Sequence, residues 1–144
     1  MLIVKTFTAI VPLKLNSERV PNKNFRLLDG KPLYQYIIQT LHEVDFIDEI
    51  IINTDVDSDK FLEFDLMESP KITHSNRPLS LCGDLISMNS IIQYELERSS
   101  KDAFVMTHAT NPLLTAQTIS NMIQTFLEQN AEYDSLMKIG RAHV

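Results

Sequence analysis

A chain of 144 residues, 44% hydrophobic and 22% charged, can build one domain with a real core and is too short for two ordinary ones. Its net charge of -6 and pI of about 5.1 argue against a general nucleic-acid binder, which would carry a basic face, and a single cysteine, Cys82, excludes an internal disulfide and a cysteine-based metal site. No apolar run approaches a membrane span, and Lys5 interrupts the first one before a signal-peptide core could form, so a cytoplasmic protein with neither nucleic acid nor membrane as partner is expected.

In chain order the sequence alternates strand and helix. Residues 6–11 are short, β-branched and mostly apolar, as suits a strand buried on both faces of a parallel sheet, and the chain is expected to leave that sheet through Pro12. A long polar loop follows, carrying Lys14, Arg19, Lys23 and Arg26 against Glu18 and Asp29. Asp29-Gly30 marks a turn, and Pro32 opens a helix over 33–43 with Leu33, Tyr36, Ile37, Thr40 and Leu41 at helical spacing. The β-branched run 49–53 is a second buried strand, ending in Thr54-Asp55-Val56-Asp57. Asp57-Ser58-Asp59 suits the cap of a short helix through Leu66; these aspartates read as turn and cap residues in preference to metal ligands.

Residues 70–74 form a short third strand, with His74 in a structural role. Arg77-Pro78 begins a loop to Asp84, and a helix over 85–98 shows apolar residues at 85, 88, 91, 92 and 96; Asp84 suits its N-cap. A fourth strand over 102–107 runs into His108-Ala109-Thr110-Asn111-Pro112. Thr115 caps a helix through Glu128, and residues 133–137 begin a fifth strand. In such open α/β sheets, ligands bind in the crevice outside the carboxyl ends of the strands. The basic loop lies at the end of the first strand, where its reversal of the chain's overall sign suits a triphosphate. The same loop can also be read as a solvated, lysine-bearing surface.

The stretch Lys14-Leu15-Asn16-Ser17-Glu18-Arg19-Val20-Pro21-Asn22-Lys23-Asn24 resembles the signature loop of the cytidylyltransferases that activate sugar acids, the acylneuraminate and 3-deoxy-manno-octulosonate type. Gly30-Lys31-Pro32-Leu33 resembles the turn that follows it there. The likeness continues in order through Asn53-Thr54-Asp55, Arg77-Pro78, Gly83-Asp84, His108-Ala109-Thr110-Asn111-Pro112 and Glu132-Tyr133-Asp134-Ser135. It implies a three-layer α/β/α, Rossmann-like nucleotide-diphospho-sugar transferase fold with a mainly parallel sheet, truncated at its C-terminus. The activity it implies is transfer of CMP from CTP to a sialic-acid-like sugar acid, with release of pyrophosphate. The alternatives are a nucleotidyltransferase of the same fold for another sugar or base, and a catalytically incomplete nucleotide-binding module.

The resemblance also implies roles for residues. Lys14 and Lys23 would be the catalytic cations; Lys14, Asn16, Ser17, Lys23, Asn24 and Arg77 would bind the nucleotide, with the amides of Asn16 and Ser17 as an anion nest. His108, Thr110 and Asn111 would meet the sugar. Mg²⁺ is the implied cofactor, its carboxylate ligands are expected in a missing C-terminal part, and a homodimer is possible at full length. Three positions depart from the pattern. Lys14 stands where most relatives have arginine and gives up the bidentate fork; Met88 falls among positions that are usually serine; His108 replaces a common glutamine, as a general base or as an orienting hydrogen-bond group. The cytidylyltransferase-like domain is read as residues 1–138. Residues 139–144 resemble a translated sequencing adapter, and the chain is expected to be inactive as it stands.

Overall fold

The computed structural model describes residues 6–139. Its elements follow as strand β1 (Phe7–Leu13), the short strands β2 (Leu27–Leu28) and β3 (Lys31–Pro32), helix α1 (Leu33–His42), strands β4 (Ile47–Thr54) and β5 (Ile72–Asn76), helix α2 (Met88–Arg98), strand β6 (Phe104–Met106) and helix α3 (Ala116–Gln129). The order β5-β4-β1-β6 makes one sheet, and all three pairings are parallel. Parallel strands need crossover connections that cover both faces, which is why every residue of β1 is buried. The expected α/β class with a mainly parallel sheet is the one observed.

Register assigns each face its chemistry. Ala9 pairs with Ile50 and Val11 with Ile52; these residues and Leu13 meet Ile37, Ile38 and Leu41 of α1 and Ile119 and Ile123 of α3 in the main core. Strand residues alternate between faces, so Thr8, Ile10, Ile51, Asn53 and Ser75 lie on the opposite face, the one α2 covers through Ile91 and Glu95. No helix among the described residues is long and apolar enough to cross a membrane.

Four local expectations are corrected. Pro12 stays in the sheet, opposite Asn53. The amides of Thr8 and of Thr107, the latter to Ile10 O, show that even-numbered positions of β1 hydrogen-bond toward β6. The β6 ladder ends opposite Ile10, so the donor that Pro12 lacks is one no strand requires. In place of a helix through Leu66, the chain makes two 3-10 turns, Ser58–Phe61 and Asp65–Glu68. Helix α2 begins at Met88, capped by Ser87, whose Oγ accepts from Ser90 N–H at 3.2 Å; Asp84 is not its cap, and Leu85 is fully exposed. Residues 133–137 are exposed and form no strand, since nothing among the described residues extends the sheet beyond β6 to pair with them.

Two local features hold the loops near the strand ends. Asp29 (φ 49°) and Gly30 (φ 78°) are both left-handed, the pair of conformations that a two-residue type I′ hairpin turn needs between β2 and β3. The Phe61 ring, almost wholly buried, lies 5.8 Å from Phe25, 5.2 Å from Tyr34 and 5.6 Å from His74, joining the end of the basic loop to α1 and β5. His74 has the structural place expected of it, with Nε2 3.0 Å from Val56 O. Of the stretch 139–144, Ile139 is exposed and residues 140–144 lie outside the described residues, as does Lys5.

Candidate functional site

Because the strands are parallel, their carboxyl ends share one edge of the sheet, with Lys14 following β1, Asp55 following β4, Arg77 following β5 and Thr107-His108 following β6. Three hydrogen bonds fold the basic loop over that edge. Lys14 Nζ lies 2.6 Å from Asp84 Oδ1, Leu15 N–H donates to Asp55 Oδ1 at 2.9 Å, and Asn24 Nδ2 donates to Lys14 O at 3.0 Å. Asp84 belongs to the loop that descends from Arg77, so the loops after β1 and β5 meet in one crevice. The hydrogen bond and charge of Lys14 hold the Asp84 carboxyl below its ordinary value.

The remaining loop residues differ in their engagement. Lys23 is half-buried, in a 3-10 turn that Asn22 starts from a left-handed conformation at φ 50°, and it has no ion-pair partner among the described residues. The Asn24 side chain is buried. The amides of Asn16 and Ser17 make no hydrogen bond among the described residues, which leaves both donors available to an anion.

Arg77 is not a surface arginine. It is 9% exposed, with Nε donating to Asn53 Oδ1 at 2.7 Å, Nη2 to Asn53 O at 3.1 Å and its amide to Thr54 O at 2.8 Å. Burial pulls its pKa down, opposed first by the nearby carboxylate of Asp55. Behind it, Asn53 Nδ2 and Ser75 Oγ both donate to Glu95 Oε1 at 2.6 Å. The partnership with Glu95 is hidden in the sequence, where the apolar spacing of the helix does not announce a buried carboxylate. The available signal was spacing, since Glu95 lies four residues after the buried Ile91 on the same helical stripe.

His108, Thr110 and Asn111 are exposed at the end of β6, where Asn111 N–H closes a turn on His108 O at 3.2 Å. They share the carboxyl edge, and no hydrogen bond among the described residues joins them to Lys14 or Arg77. Cys82 is half-buried, with Sγ 3.5 Å from Pro78 O, and Met88 is 38% exposed at the start of α2. An open cleft of about 500 Å³ lies on the α2 face, lined among others by Glu49, Thr73, Ser75, Tyr94, Glu95 and Lys101; none of the site residues expected from the sequence lines it.

The expected Mg²⁺ finds no ready-made ligand set: no group of three or more His, Cys, Asp or Glu among the described residues could hold a metal ion. Of the carboxylates there, Asp55 accepts from Leu15 N–H and Asp84 pairs with Lys14, with Glu18 beside it.

Comparison with known proteins relates both the sequence and the fold to other chains. The chain is 25% identical over 129 residues to the pseudaminic acid cytidylyltransferase of Campylobacter jejuni subsp. jejuni serotype O:2, covering 86% of this chain and 54% of that protein. It is 40% identical over 47 residues to the CMP-N,N'-diacetyllegionaminic acid synthase of Legionella pneumophila, covering 33% of this chain and 20% of that one. Its backbone is similar to that of a CMP:2-keto-3-deoxy-manno-octonic acid synthetase complexed with CTP, with TM-score 0.69 and 17% identity over 88% of this chain and 49% of that structure. The chain thus spans about half the length of these broadly matching relatives. The sequence profile of the family described as cytidylyltransferase matches residues 8–143, and the chain belongs to that family.

Proposed function

We propose that the crevice at the carboxyl ends of β1, β4 and β5 binds CTP, and that the whole protein transfers CMP from it to a sugar acid of the sialic-acid type with release of pyrophosphate. The observation that carries this reading is the meeting of two loops. Lys14 bonds Asp84, Leu15 bonds Asp55, and Asp55 is close enough to Arg77 to act on its charge, so cations after β1 and β5 address one space. The substrates for which the relatives are named, pseudaminic acid and 3-deoxy-manno-octulosonate among them, support a sugar acid as acceptor.

In that reading the acceptor hydroxyl attacks the α-phosphorus in line and pyrophosphate leaves. Negative charge grows on the phosphate oxygens, so catalysis rests on positioning and on cations aimed at them. Lys14 and Lys23 meet those oxygens as point charges, the amides of Asn16 and Ser17 add two donors, and Asn24 and Arg77 address the nucleoside. His108, Thr110 and Asn111 address the sugar. Mg²⁺ and a homodimer remain part of the proposal for the whole protein. With no metal-ligand cluster among the described residues, this chain alone is expected to bind nucleotide without turning it over.

The test is calorimetric titration of the chain with CTP, UTP, ATP and GTP. CTP should bind tightest, and Lys23→Ala should weaken it about tenfold to a hundredfold, the range for a charge-assisted hydrogen bond. Equal affinity for all four nucleotides would overturn the cytidine assignment. An unchanged CTP affinity in Lys23→Ala would remove the basic loop from the site.

A further inference from the structure

We propose that Glu95 is a positioning residue: acting through Asn53, it fixes the guanidinium of Arg77 at the crevice. The proposal rests on the CTP reading above and concerns a residue that makes no contact with the nucleotide itself.

The argument begins with Asn53, which is fully buried on β4. Its side-chain amide has a donor end and an acceptor end, and a half-turn exchanges them. A guanidinium only donates, so Arg77 Nε–H, 2.7 Å away, requires the oxygen end. An ionised carboxylate only accepts, so Glu95 Oε1, 2.6 Å away, requires the nitrogen end. A reversed amide would set oxygen against oxygen on the Glu95 side and donor against donor on the Arg77 side, losing both bonds. Glu95 therefore locks Asn53 in the one orientation that offers its oxygen to Arg77, and Asn53 holds Nε.

Two further contacts make the arrangement rigid. Ser75 Oγ donates to the same Oε1 at 2.6 Å, fixing the carboxylate from β5. Arg77 Nη2 donates to Asn53 O at 3.1 Å, so two nitrogens of the guanidinium are held by one residue. Its Nη1 makes no hydrogen bond among the described residues and remains a donor for a ligand. The charges agree with the hydrogen bonds, because a buried cation and a buried anion sit at opposite ends of one amide dipole. Glu95 is 3% exposed on a helix face packed against the sheet, a place where an unpartnered carboxylate would be costly and an apolar residue would serve packing alone. Since α2 directly follows the loop that starts at Arg77, the relay also ties the seating of that helix to the guanidinium.

The test combines CTP titration with exchange of the Arg77 Nε–H proton, followed by ¹⁵N NMR on the same chain. Glu95→Met keeps side-chain length and removes both acceptors; it should weaken CTP about tenfold or more and leave the Nε–H proton rapidly exchanging. Glu95→Gln keeps an acceptor and should restore both readings to within about threefold of wild type. In an Arg77→Ala background, Glu95→Met should cause no further loss of CTP affinity. Should Glu95→Met fail to fold, Ser75→Ala loosens the carboxylate more gently and should speed Nε–H exchange while weakening CTP two- to threefold. Protection that survives in Glu95→Met, or in Ser75→Ala where that variant stands in, overturns the proposal, as does an equal loss of affinity with and without Arg77. Should the wild type bind no CTP, the nucleotide reading fails, and the response of Nε–H exchange to Glu95 still decides whether the relay fixes Arg77.

Discussion

Asp84 and a nucleotide phosphate compete for one ammonium group in the proposed site. Lys14 is bonded to Asp84 at 2.6 Å, and with Lys14 half-buried and Asp84 exposed the ion pair is open to solvent and screened. Asp84→Asn should therefore strengthen CTP binding modestly, by about two- to fivefold. The pH dependence follows from the depressed carboxyl. A group whose pKa is lowered by its partner keeps that pairing above its ordinary value of 3.8 and loses it as the pH falls through the lowered one. The ratio of variant to wild-type CTP affinity should thus stay flat between pH 5 and 8. Titrations that show this ratio drifting across that interval would mean that another group governs Lys14. The meeting of the loops after β1 and β5 was legible in part, through the charge of the first loop, which holds Lys14, and through the resemblance at Arg77-Pro78. The part of Glu95 was not legible, because apolar spacing along a helix does not announce a buried carboxylate until the sheet behind it is known.

Among the elements, those whose pattern is decided locally could be read directly. The β-branched runs of β1 and β4 and the helical spacing of α1 and α3 each fix an apolar face without outside help. Residues 133–137 show the limit, since a strand exists only where a neighbour supplies its hydrogen bonds, and the described residues supply none beyond β6. Pro12 shows the converse: its missing donor counts only if a partner strand reaches that far, which β6 does not. The hairpin between β2 and β3 is local in the strict sense and can be tested alone. A methyl group at Gly30 would meet nothing within 4 Å, so Gly30→Ala carries no steric term from packing and only the backbone strain of φ 78°. Its cost should be about 1 kcal/mol, and Gly30→Asn should cost distinctly less because asparagine tolerates the left-handed region. Urea denaturation of the two variants measures this, with a shifted midpoint and an unchanged slope; equal costs would show that strain at φ is not the cause.

At the scale of the molecule, the core and the proposed site share a support, the aromatic cluster around Phe61. Phe25 closes the basic loop, Tyr34 belongs to α1, His74 to β5, and Phe61 touches all three from the turn after β4. A ring so placed couples the site loop to the stability of the whole sheet, since no one of the four elements can shift without opening a void against the others. Phe61→Ala should cost about 3–5 kcal/mol, a large share of the roughly 5–15 kcal/mol that holds a domain folded. Its sequence neighbour provides the control, because Leu62 is 80% exposed and Leu62→Ala should change stability by no more than about 0.5 kcal/mol. Denaturation of the two variants side by side separates burial from hydrophobicity. If Phe61→Ala fell within about 1 kcal/mol of Leu62→Ala, the cluster could not be what fastens the end of the basic loop, and the positions of Lys23 and Asn24 would have to be set by the Asn24–Lys14 hydrogen bond and the turn at Asn22 alone.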